Sequence, residues 1–191
     1  MKKILLLGGP YGVGKTTLAN NIVNNVEGSI MFDGEWAWYQ GNDWNFSSEN
    51  KKMALDNICH TLLNFLKNPN FDVIVFSWVL HKIEDHNLII ETLRKSNIEF
   101  ELYDLSLICS ETLLLNRLQN RIQSKATEFD AYYDNISIHH AYDGSVRKLK
   151  QIMSLPTRKI NVDNMSKDEV LNTVLNIAGI PKKEEKLIIK H

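Results

Sequence analysis

Short apolar runs alternate with longer stretches of helical period along this chain. Lys3-Ile4-Leu5-Leu6-Leu7 is apolar without a break, which predicts a parallel strand buried on both faces. Thr16 to Val26 then places Leu18, Ala19, Ile22, Val23 and Val26 at helical spacing. Ser29-Ile30-Met31-Phe32 predicts a second strand, ending at Asp33-Gly34-Glu35. Residues 47–67 form a long helical pattern with Ser48 as its cap, and Asn68-Pro69-Asn70 stops it. Phe71 to Phe76 is the clearest buried strand, and Ser77-Trp78-Val79-Leu80-His81 carries it into a loop. A helix over 85–96, a strand over 98–109 and a helix capped by Ser110 and running through Arg121 follow. Residues 124–143 are polar, carry paired tyrosines and lack a sustained period, which predicts a mobile lid with room for a short helix. A helix over 143–155, a strand over 158–162 and a helix over 166–178, closed by Gly179 and Pro181, complete the pattern.

Strands alternating with helices imply an α/β fold: a mostly parallel sheet covered on both faces, with ligands beyond the carboxyl ends of the strands. At 191 residues one domain is expected, over 1–179 with a lid at about 122–146, and 180–191 as a tail that is either frayed or docked. The net charge of −1 supplies no field toward nucleic acid or membrane, and no basic stripe supports a nucleic-acid partner. Cys59 and Cys109 fall in apolar contexts and are expected as reduced core residues. No segment is long and apolar enough to span a bilayer, so a cytoplasmic protein is expected, as a monomer or homodimer.

The chemistry concentrates between the first strand and first helix. Gly9-Pro10-Tyr11-Gly12-Val13-Gly14-Lys15-Thr16 fits G-x-x-x-x-G-K-[ST], the phosphate-binding loop of nucleoside-triphosphate enzymes, in its required strand–loop–helix context. Glycines let backbone N–H groups approach phosphate oxygens, and the helix adds its positive end. Lys15 is expected to reach the β and γ phosphates, Thr16 to bind Mg2+, and Thr17 to help hold the α phosphate.

Asp33 lies just past the second strand on the edge that carries this loop. There a carboxylate can take a proton from an attacking hydroxyl, orient it, or hold magnesium through water; the alternative is a solvated Asp-Gly turn. Glu35 is its partner or competitor. Arg117 and Arg121 share one helix face, suited to adenine or the α phosphate and to the transferred phosphoryl group, or else to pairing with Glu111 or Asp130. Lys125, Arg147 and His81 are weaker candidates. Trp36, Trp38, Tyr39, Trp44 and Phe46, with Asp43 among them, and Trp78 after the third strand, offer either the wall of an acceptor pocket or core under a cap. Val162-Asp163-Asn164-Met165 lies where a base is expected, with Met165 as a shelf, although a plain turn explains it equally well. Where many phosphate-loop proteins carry an acid at the end of the third strand, this chain has Ser77, leaving the metal to Thr16, phosphates and water with help from Asp33. Neither a D-x-x-G switch nor an N-K-x-D base reader is present, against a GTPase.

The pattern resembles small phosphate-loop kinases of the nucleoside and shikimate kinase type. Gly9 to Thr16, Asp33, and the Arg117/Arg121 helix before a lid carry the likeness. Met31-Phe32-Asp33, Trp78 to His81, Ser110 to Leu118 and Val162 to Ser166 bring it nearest to the tunicamycin-resistance ATP-binding proteins. The resemblance implies strand order 2-3-1-4-5, a three-layer α/β/α fold, ATP with magnesium and a helical lid. Chloramphenicol phosphotransferases are similar in layout and use an aspartate after strand two as base, which fits Asp33. The resulting expectation is an ATP-dependent phosphotransferase acting on a small hydroxylated acceptor such as a nucleoside, sugar or antibiotic. Lys15, Asp33 and Arg121 would be catalytic; Gly9, Tyr11, Gly12, Val13, Gly14, Lys15, Thr16, Thr17, Arg117, Asn164 and Met165 would bind nucleotide; Asp33, Glu35, Trp36 and Trp78 would meet the acceptor. The alternative is an ATP-binding protein that sequesters or senses a ligand without turnover.

Overall fold

The computed structural model describes residues 1–37, 45, 47–124 and 138–183. Trp38, Tyr39, Asp43, Trp44, Phe46, Lys125, Asp130, most of the expected lid and the tail from 184 onward lie outside the described residues. Five strands, β1 (Lys2–Gly8), β2 (Ser29–Asp33), β3 (Val73–Ser77), β4 (Phe100–Ile108) and β5 (Arg158–Asn161), form one sheet. Its order is β2-β3-β1-β4-β5, and every pairing is parallel. This is the order the resemblance implies.

Successive β1 side chains point to opposite faces, so its apolar run feeds two cores. Leu5 and Leu7 pack on one face with Leu18 and Ile22 of α1 (Lys15–Asn25), Leu114 and Leu118 of α4 (Glu111–Ser124), Val146 of α5 (Ile138–Met153), and Leu171 and Leu175 of α6 (Lys167–Ala178). Ile4 and Leu6 pack on the other with Ile58, Leu62 and Leu66 of α2 (Ser48–Lys67) and Ile89 and Leu93 of α3 (Ile83–Arg94). Ile4, Leu5, Leu6 and Leu7 are fully buried. Each contributes on the order of 1.5–3 kcal/mol of burial, which makes β1 the strand about which the three layers assemble. Cys59 and Cys109 are free and buried, as expected.

Several boundaries differ from expectation, each for a local reason. Ser47, not Ser48, caps α2: its Oγ accepts from the Asn50 N–H at 3.2 Å. Helix α3 begins at Ile83 rather than 85. β3 starts at Val73 and keeps Ser77 inside the ladder, opposite Leu7 and Asp33. Helix α5 begins at Ile138 rather than 143, so residues 138–142, placed within the expected lid, are helical. Ser145, Leu149 and Ile152 give this helix a buried stripe. Helix α6 starts with a capping box, the Ser166 N–H donating to Glu169 Oε2 at 2.7 Å and the Glu169 N–H to Ser166 Oγ at 3.2 Å. No helix among the described residues is long and apolar enough to cross a membrane.

Candidate active site

At the carboxyl edge of the sheet, β1 runs into the glycine loop and the loop into α1. Gly12 has φ +87°, and a Cβ there would meet Leu118 Cδ2 at 2.9 Å, so only glycine lets the loop lie against α4. Gly14 caps α1 without a side-chain bond among the described residues. The first amides of α1 therefore have no side-chain cap, the arrangement in which a helix start accepts an anion. Lys15 is half-buried and its Nζ donates to the Pro10 carbonyl at 3.0 Å, folding back over its own loop. Loss of hydration pushes its ammonium down to about 8, against the pull of Asp33 and Glu35; Lys148 and Arg121 push the same way.

Asp33 ends β2 directly opposite Ser77. Its Oδ2 accepts from the Thr16 hydroxyl at 2.7 Å and from the Ser77 hydroxyl at 3.1 Å, while Oδ1 accepts from the Glu35 N–H at 3.1 Å. A carboxylate from the neighbouring strand thus lies beside Ser77 at the end of β3, and the Asp-Gly turn is not a solvated one: Asp33 is buried. Gly34 packs so closely on Trp78 that an added Cβ would lie 2.4 Å from the indole Cγ. Glu35 sits half-buried beside them. Burial raises its carboxyl pKa and the Asp33 charge raises it further, opposed by Lys15, Lys148 and a bond from the Trp78 indole. The loop after β3 is stitched to the phosphate loop: the Trp78 N–H donates to Leu7 O and the Gly9 N–H to Val79 O, each at 3.1 Å. Leu80 closes it in the left-handed region at φ +42°, which costs a non-glycine residue ~1–2 kcal/mol.

Arg121 lies over the Tyr11 ring, 4.6 Å from its centroid, which brings it to the phosphate loop. Arg117 donates to the Val13 carbonyl and joins Gly12, Val13, Gly14, Thr17, Val162 and Met165 around a cleft of about 210 Å3. That is below the ~300–1,000 Å3 of whole-ligand pockets and suits one end of a nucleotide. Met165 is in this lining, whereas Asn164 is exposed and outside it; Asn21 and Lys167 line it as well.

Arg147 faces outward, while the next residue, Lys148, is half-buried and its charge is felt at Lys15, Glu35 and His81. Burial lowers the Lys148 pKa, against the attraction of Glu35. Its position beside the Ser145/Leu149/Ile152 stripe was the available signal. His81 is half-buried, and burial, helped by Lys148 and Lys82, lowers it to about 4, so it is neutral at ordinary pH. Trp36 is 64% exposed, its ring edge-on to Phe32 at 6.0 Å, while the rest of the aromatic cluster after it lies outside the described residues. Among the described residues no three His, Cys, Asp or Glu side chains gather to hold a metal. The exposed Thr16 hydroxyl beside Asp33 and Ser77 still offers hard oxygens of the kind Mg2+ takes when phosphate and water complete its shell.

The model of a family described as AAA domain (AAA_18) matches residues 5–138, more than half the chain. The chain belongs to the AAA-domain family. No curated protein matches this AAA-domain chain at the sequence level. Among solved structures it is similar to a tunicamycin resistance protein of Deinococcus radiodurans, with 15% identity, TM-score 0.65, and coverage of 96% of this chain and 99% of that one. A gluconokinase from Sinorhizobium meliloti 1021 is similar over 93% and 94% of the two chains, with 15% identity and TM-score 0.63. The Mycobacterium tuberculosis APS kinase CysC, solved with AMPPNP and APS, is similar over 92% and 96%, with 16% identity and TM-score 0.62. At these identities the likeness establishes the fold: that of the small phosphate-loop kinases.

Proposed function

We propose that this chain is an ATP-dependent phosphotransferase that moves the γ-phosphoryl group to a hydroxyl of a small acceptor. The observation that carries the reading is the placement of Asp33, bonded to the phosphate-loop Thr16 and to Ser77 at the strand edge beside Lys15. The amides of residues 12–16 and Lys15 hold the triphosphate, and the Arg117/Met165 cleft takes the base. Lys15 leaves the Pro10 carbonyl to do so. The acceptor enters beside Glu35, Trp36 and Trp78. Its hydroxyl oxygen attacks the γ phosphorus while Asp33 accepts the hydroxyl proton, and the bond to the bridging oxygen breaks to release ADP. Arg121 and Lys15 face the charge that builds on the phosphoryl oxygens. Thr16 is the side chain that would hold Mg2+, with Asp33 near its water shell; bound there, the cation would neutralise phosphate charge.

The similar structures include a gluconokinase and an APS kinase, which supports small hydroxylated acceptors. The test is to incubate protein, Mg2+ and ATP with pooled nucleosides, sugars and antibiotics and search by mass spectrometry for a compound heavier by one phosphoryl group. Such a product, abolished by Lys15→Ala, is expected. Slow ATP hydrolysis that no acceptor changes, with nucleotide-dependent binding of an unmodified ligand, would favour a sensing or sequestering protein instead.

A further inference from the structure

We propose that His86 is a positioning residue for the candidate site, a doubly hydrogen-bonded imidazolium that pins the loop 77–81 against the phosphate loop. Its functional consequence rests on the phosphotransferase reading; its geometry does not. His86 lies in α3 and is 0% exposed. Its Nε2 is 3.0 Å from the Leu80 carbonyl oxygen and its Nδ1 is 2.8 Å from Asp104 Oδ2. A carbonyl and an ionised carboxylate only accept, so both ring nitrogens must donate, and a neutral imidazole has one N–H to give. The second donor exists only in the charged ring.

What the Nε2–H holds is unusual. Leu80 is buried and left-handed, a conformation that leucine adopts only when its surroundings enforce it. The loop it closes accepts from the Gly9 N–H at Val79 O and donates from the Trp78 N–H to Leu7 O. Its side chains reach the site, Ser77 to Asp33 and Trp78 to Glu35. A line of contacts therefore runs from Asp104 on β4 through the His86 ring to the Leu80 carbonyl, and from there to both loops of the site.

The charged groups around this ring are Asp104, Asp85 on its own helix with Lys82 before it, and Lys159 of β5, which faces Asp104. Burial opposes the imidazolium, but the Asp104 bond and charge, the Leu80 carbonyl and Asp85 together outweigh it, and the net shift is upward. Asp104 Oδ1 is enclosed and has no hydrogen-bond partner among the described residues, so the His86 bond to Oδ2 weighs the more for its charge. When the ring loses a proton, Nδ1 keeps its hydrogen, donated to Asp104, and Nε2 gives its hydrogen up. A bare Nε2 then faces the Leu80 carbonyl, and the loop is released. With its folded pKa raised above the unfolded ~6.5, the clamp is intact at low pH and lost as pH rises through the folded value.

The test uses the full chain with 15N-labelled histidine. Ring-nitrogen spectra and amide-exchange protection factors are followed across pH in the wild type and in Asp104→Asn. Both His86 ring nitrogens should carry protons at the acidic end. As the ring titrates, the Trp78 and Gly9 amides should lose about tenfold in protection, with Ile74 inside the sheet unchanged. Asp104→Asn should lower the ring and loop midpoints together. The wild-type titration stands alone if that variant does not fold. A neutral His86 across the range, or loop protection indifferent to its titration, overturns the proposal. On the same samples, affinity for an ATP analogue should weaken with the ring's midpoint and follow it in Asp104→Asn. Affinity that is present but ignores that midpoint overturns the positioning role. No affinity at any pH refutes the nucleotide site while leaving the clamp itself to be judged by the spectra.

Discussion

Raising the pH from 7 to 9 strips the proton from the phosphate-loop lysine. Burial sets the Lys15 pKa at about 8 in the free protein, well below its ordinary 10.5, with Lys148 and Arg121 adding to the shift and Asp33 and Glu35 resisting it. From that midpoint roughly nine-tenths of the molecules carry the ammonium at pH 7 and about one-tenth at pH 9. If the triphosphate requires the charge, affinity falls about tenfold over the interval, ~1.4 kcal/mol. Stability of the free protein moves oppositely. A lysine whose folded pKa is depressed leaves the unfolded chain holding more protons between about 8 and 10.5, so its contribution to stability grows as pH rises through that window. Fluorescence polarisation of a labelled ATP analogue at constant ionic strength measures the first trend, and urea unfolding without nucleotide measures the second. Lys15→Met should bind weakly at every pH and lose the step centred near pH 8, keeping only the dependence that follows the His86 ring. A wild-type affinity flat from pH 7 to 9, or the same slope in Lys15→Met, would refute the reasoning.

Asp33→Asn retains hydrogen-bonding groups for Thr16, Ser77 and the Glu35 amide but loses the proton acceptor; turnover should fall by ~10²–10⁴ with nucleotide affinity nearly unchanged, read as kcat against Kd. Gly34→Ala must displace the Trp78 ring and should cost ~1–3 kcal/mol, seen as a lower Tm with altered tryptophan emission. Lys148→Met removes a charge that holds Lys15 and Glu35 down, so the pH midpoint of nucleotide binding should move upward, while Arg147→Met should leave it in place.

Much of this was legible before any coordinates. An unbroken apolar β1, the G-x-x-x-x-G-K-T loop and the alternation of periods suffice for a parallel sheet with its site at the carboxyl edge. Asp33 and Met165 could be singled out because each lies at or just past a strand end on the edge that carries the loop. What was hidden depends on which residues the sheet and helix packing bring abreast. Ser77 looks like a missing acid until the β2–β3 register sets it opposite Asp33. Lys148 rather than Arg147 faces inward because the rotation of helix α5 is set by Ser145, Leu149 and Ile152, whose burial the sequence alone does not give. His86 reads as one more polar position on α3; only the approach of β4 and of a left-handed leucine gives it two partners.

The most direct measurement is a crystal structure with Mg2+ and a non-hydrolysable ATP analogue. The account predicts the base against Met165 and Arg117 and the phosphates on the amides of residues 12–16. Lys15 should be swung from the Pro10 carbonyl onto the β and γ phosphates, with Asp33 open toward the acceptor side. A phosphate loop left empty at saturating analogue, or a bound triphosphate with Lys15 still on Pro10 and Asp33 shut off from the γ phosphate, would contradict it.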